Sequence, residues 1–118
     1  MNIQKAYDKY FKKWQWTLDN LGWNVGVEYL DNGDDMPGDG AEAYAVVQAQ
    51  FAYLSAVISV NLKKSKTLSL KEVEEVVVHE ICHVLLAPLE VEPGRDLEYT
   101  VTSISRIMCG ITGVSKKV

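Results

Sequence analysis

A chain of 118 residues, 47% of them hydrophobic, can close one core but not two, so a single domain over 1–118 is expected. Twelve Lys and Arg against sixteen Asp and Glu leave a formal charge of −4, which gives no electrostatic footprint for nucleic acid. Two cysteines are too few for a disulfide framework, no signal-peptide core lies between Met1 and Leu21, and no run reaches about 18 uncharged apolar residues, so a cytoplasmic chain without a membrane partner is expected.

Ile3, Tyr7, Tyr10, Phe11, Trp14, Leu18 and Leu21 recur at steps of three and four, which predicts an amphipathic helix over 2–21 ended by Gly22, its lysines on the other face. Trp23–Leu30 reads as a strand with Trp23, Val25, Val27 and Tyr29 on one face. Asp31–Gly40 is dense in Asp, Gly, Asn and Pro. Asp31, Asp35 and Glu42 match a calcium-loop spacing, but Met36 stands where that loop needs glycine, so an acidic turn is the better reading. Ala43–Phe51 and Leu54–Leu62 alternate as two further strands of a hairpin; whether Ala56, Ile58 and Val60 or Val57 and Ser59 face inward is open.

Ser69 and Glu72 form a capping-box pattern that starts a helix, with Glu72, Glu74 and Glu75 suiting the positive end of its dipole. Pro88 stops it near Ala87. After a Pro93-Gly94 turn, Leu97, Val101, Ile104 and Met108 stripe a last helix from about Arg95 to Cys109, and the tail beyond Gly110 reads as frayed. The expected class is α+β: an N-terminal helix, a small three-stranded, mainly antiparallel sheet, then two helices.

His79-Glu80-Ile81-Cys82-His83 lies inside the apolar run Val76–Leu86, which has no Lys, Arg or Asp. On a helix the two imidazoles stack on one face about 6 Å apart in rise, which suits two ligands of one tetrahedral zinc ion. Glu80 leans to one side, placed to take a proton from a zinc-bound water whose pKa the metal lowers towards about 7. Core histidines satisfied by neighbours are the simpler alternative. Burying three such polar groups without partners would cost several kcal/mol, and a metal satisfies them together. Cys82 falls about 80° from the mid-line of the two histidines and reads as a packed thiol.

A catalytic zinc needs a third protein ligand and one open position. The chain has no third His, so the choice falls among Glu90, Glu92, Asp96, Glu98 and Cys109. Glu98, fifteen residues after His83 at the start of a helix that can turn back, is the rigid option and is preferred.

From Ala56 to Arg106 the chain resembles the zincin metallopeptidases of gluzincin pattern, and in particular the small single-domain HExxH proteins of bacteriophages and prophages. The likeness rests on His79-Glu80-Ile81-Cys82-His83-Val84-Leu85-Leu86 and on Glu98-Tyr99-Thr100-Val101-Thr102-Ser103-Ile104-Ser105-Arg106. It implies His79, His83 and Glu98 as ligands of one zinc ion and Glu80 as general base. Thr102 stands where larger relatives often place an Asp that orients a histidine, so Thr102, Ser105 or a carbonyl would serve instead. Tyr99 and Tyr53 are candidates for oxyanion stabilisation, though each reads first as structural.

The resemblance also implies a peptide or protein substrate added to an edge strand, taken as Leu54–Leu62. A zinc-dependent peptidase of the bacterial host cytoplasm is the leading expectation. A zinc-stabilised, non-catalytic binding module of phage or prophage origin is the alternative, since so short a chain has little room for subsites.

Overall fold

The computed structural model describes residues 2–38, 40–87, 101, 102, 104, 105 and 108, with the backbone alone at 51. Helix α1 spans Ile3–Asp19, capped by the Asn2 side chain, which accepts from the Lys5 amide at 3.1 Å. It ends where Gly22 takes φ +79°, allowing Trp23 N–H to reach Leu18 O and Gly22 N–H to reach Asp19 O. That ending holds Trp23 and Leu18 together in the core, so the first strand leaves the helix in a fixed direction. Leu21, counted in the stripe by its spacing, lies beyond the helix end at Asp19 and is 60% exposed.

The strands are β1 (Asn24–Leu30), β2 (Ala45–Gln50) and β3 (Ser55–Asn61). Their order is β1-β3-β2, with β1 parallel and β2 antiparallel to β3, so the α+β class holds and the sheet is mixed. The 31–44 connection steps from β1 past the end of β3 to β2. Its two short 3-10 turns, Gly33–Asp35 and Gly40–Glu42, make the acidic turn. Met36 is buried there, and Gly40 is required: a Cβ would stand 2.6 Å from Val46 Cγ2.

Central β3 turns Ala56, Ile58 and Val60 inward. Ser59, on the other face, is also buried, and its hydroxyl donates to Glu28 Oε2 on β1 at 2.6 Å. Because β3 is paired on both sides, it is not the edge that the resemblance implied at Leu54–Leu62. The strand that flanks only one neighbour on the far side is β2. Ladder hydrogen bonds to β1 and β2 occupy both sides of the β3 backbone, leaving no room for an added peptide there.

A single turn, α2 (Leu62–Ser65), leads to α3 (Leu70–Leu85), whose capping box Ser69/Glu72 is formed in both directions. Residues 101, 102, 104, 105 and 108 are helical, with Val101 in the core, as the stripe predicted. Helix α3 is buried nearly all round because α1 covers its far side. There Glu74, fully buried, accepts from Trp14 Nε1 at 2.7 Å and pairs with Lys13 at 2.7 Å. Glu74 is therefore the clamp between α1 and α3, where the sequence pattern made it a dipole partner only. Its Oε1 has no hydrogen-bond partner among the described residues.

Tyr7 ties α1 to α2. Ser65 Oγ donates to Asn61 O, so the Tyr7 hydroxyl, 2.8 Å away, donates to Ser65. Burial pushes the Tyr7 phenol up to about 12, with the Glu80 charge adding to the shift. Among the described residues no helix is long and apolar enough to cross a membrane.

Candidate metal centre and its cleft

Helix α3 has two working faces. Val73, Val77, Ile81 and Val84 pack inward, while Glu72, Val76, His79 and His83 form a stripe at steps of three and four on the opposite side. At 100° per residue, Glu74 lies about 160° round from the mid-line of the two histidines, so the clamp to α1 and the histidine face do not compete for space.

The histidine stripe opens on a cleft of about 710 Å³. Its second wall is the start of the β2 edge, from Ala43 to Val47, and Thr102 and Ser105 line it beside the histidines. The His79 and His83 rings stand edge to face with centroids 4.9 Å apart. Glu80 lines the same cleft and is only 7% exposed. The three motif side chains thus meet at one cavity, as their spacing predicts.

These residues fit a zinc ion in part. Two imidazoles one turn apart on a helix, at a cavity wall beside a carboxylate, are the donor types and spacing that zinc takes. Among the described residues no group of three His, Cys, Asp or Glu side chains is placed to hold a metal ion by itself. Glu98, the expected third ligand, and its competitors Glu90, Glu92, Asp96 and Cys109 lie outside the described residues, as does Tyr99.

Cys82 is a packed thiol: it is buried, its Sγ lies 3.8 Å from Met108 Sδ, and burial pushes it up to about 11, with the Glu80 charge adding to this. Thr102 and Ser105 reach the cleft, but the Ser105 hydroxyl donates to Thr102 O within its own helix. Tyr53 sits on the hairpin turn, 78% exposed and away from the cleft. Among the described residues the tyrosine that does line it is Tyr44, ahead of β2, with the Lys64 ammonium 5.1 Å above its ring. Nothing local in the sequence marks Tyr44, because its place depends on strand order. No protein-family model, no curated protein and no solved structure matches the chain.

Proposed function

We propose that this chain is a zinc-dependent metallopeptidase of gluzincin type, similar to the small phage and prophage enzymes and acting in a bacterial cytoplasm. The observation that carries the reading is the meeting of His79, His83 and Glu80 at one cleft large enough for a peptide. His79, His83 and Glu98 would hold the ion. Zinc bound there supplies a Lewis acid and a water acidic enough to give up a proton near neutral pH.

The chain's own residues supply the rest. Glu80, held in a nearly closed wall, is the group placed to take a proton and later deliver it to the leaving amine. The β2 edge offers unpaired backbone groups along the opposite wall, against which an extended substrate can form a further strand. Substrate addition therefore belongs to β2. The apolar lining from Ala45, Val47, Leu68 and Val76 excludes water around the bound backbone.

Glu80→Gln keeps the shape of the wall and removes the base. Purified with zinc and assayed on a mixed peptide library, the native chain should cut and Glu80→Gln should lose at least about a hundredfold in rate while keeping its zinc. Turnover retained in Glu80→Gln, or absent from a native chain that holds one zinc, would refute the proposal.

A further inference from the structure

We infer that the cleft selects an extended peptide with a Lys or Arg side chain about two or three residues to one side of the bond that is cut, a reading that rests on the proposed peptidase activity. Among the described lining residues the carboxylates all lie on the α3 wall. Glu75 and Glu72 line it one and two turns before His79 on α3, and no Lys or Arg is among its described lining residues. Among the described residues no cation pairs with either glutamate. Glu72 Oε1 accepts from the Ser69 amide at 2.8 Å, which leaves its second oxygen for a ligand. Lys64, at the border, is held over the Tyr44 ring.

Helix rise puts Glu75 about 6 Å and Glu72 about 10 Å from His79 along the axis. A peptide extended along β2 advances about 3.3 Å per residue, so the two carboxylates fall beside positions roughly two and three residues from the reacting bond. Both lie on the same side of His79, so the selection is one-sided. Leu68, just ahead of α3, and Val76, next after Glu75, line the cleft on either side of these carboxylates and are apolar surface for the methylene stem of a lysine or arginine whose cation then reaches the glutamates. An acidic side chain at the same positions would face like charges, with no counter-ion among the described lining residues, which disfavours the wrong peptide as well as favouring the right one.

Cuts made by the zinc-loaded chain in a proteome-derived peptide library, mapped by mass spectrometry, should show Lys and Arg enriched about threefold two or three residues from the cut, on one side only. Glu75→Lys should turn that enrichment into depletion. Glu75→Gln, an isosteric change, serves the same purpose by abolishing it if the lysine variant does not fold. In parallel, fluorescence anisotropy on full-length Glu80→Gln compares two labelled decapeptides that differ only in a Lys-Lys or a Glu-Glu pair. The Lys-Lys peptide should bind severalfold more tightly, and the difference should shrink in Glu75→Gln and at high salt.

Cleavage without basic enrichment, or enrichment unchanged in both Glu75 variants, would overturn the inference. A chain that cuts nothing, yet binds the Lys-Lys peptide through Glu75, would leave the inference standing and remove the peptidase reading. Equal binding of the two peptides would remove the inference whatever the activity.

Discussion

Replacing Glu74 tests how the histidine helix is held. The carboxylate is fully buried, and its Oε2 takes both the Trp14 indole N–H and the Lys13 ammonium. Glu74→Ala leaves the indole N–H without its charged acceptor, a loss of about 1.5–3 kcal/mol. The vacated space between α1 and α3 adds about 1–2 kcal/mol. Loss of the Lys13 pair contributes at most about 1 kcal/mol, because that lysine is 40% exposed and water screens it.

Removing a buried charge also relieves its desolvation, which works the other way. The net expectation is a loss of about 3 kcal/mol. With an unfolding entropy of about 2.1 cal/mol/K per residue, this corresponds to a fall in Tm of about 12 °C for a chain of this length. Glu74→Gln keeps an acceptor for Trp14 and loses mainly the charge, so a loss of about 1 kcal/mol and 4 °C is expected. Thermal and urea unfolding, followed by circular dichroism and tryptophan fluorescence, give both numbers. An alanine variant melting within 3 °C of the native chain, or a glutamine variant as damaged as the alanine one, would refute the clamp.

Three further outcomes follow from other contacts. Tyr7 is neutral in the fold up to about 12 but ionises near 10 when unfolded, so its contribution is complete below pH 10 and is lost as pH rises towards 12; Tyr7→Phe should flatten the fall in stability across that window in urea titrations at graded pH. Gly40→Ala places a Cβ 2.6 Å from Val46 Cγ2 and should cost about 1–3 kcal/mol by urea unfolding. Zinc at about a hundred times its Kd should stabilise the native chain by about 2.7 kcal/mol, near 10 °C in Tm, and should do nothing of the kind for His79→Ala with His83→Ala; an equal rise in the double variant would place the metal elsewhere.

Features set by neighbouring residues are legible in the sequence because their physics is local. The i, i+4 spacing of His79 and His83 brings their rings together on any α-helix, and the Ser69/Glu72 box and the Gly22 ending are decided within a few residues. The existence of α1, the three strands and α3 likewise follows from periodicity, whereas the single turn α2 falls where the pattern shows only a polar connector; the inward set of α1 is its Tyr7, Trp14 and Leu18 stripe.

Tertiary structure decided what depends on distant partners. Strand order is set by which edges pair, and hydropathy alternation is the same for an edge and a central strand, so nothing in the pattern could correct the edge that the resemblance implies at Leu54–Leu62; the fold puts that strand in the centre and Ala45–Gln50 at an edge. The role of Glu74 depended on Lys13 and Trp14, some sixty residues away, and the presence of Tyr44 at the cleft depended on the path of the 31–44 connection. By itself the sequence determined a helix with a paired-histidine face and a glutamate beside it, because backbone geometry alone fixes that arrangement. Only the packed fold decided which strand walls the cleft and which glutamates face into it, because those follow from contacts that close the chain on itself.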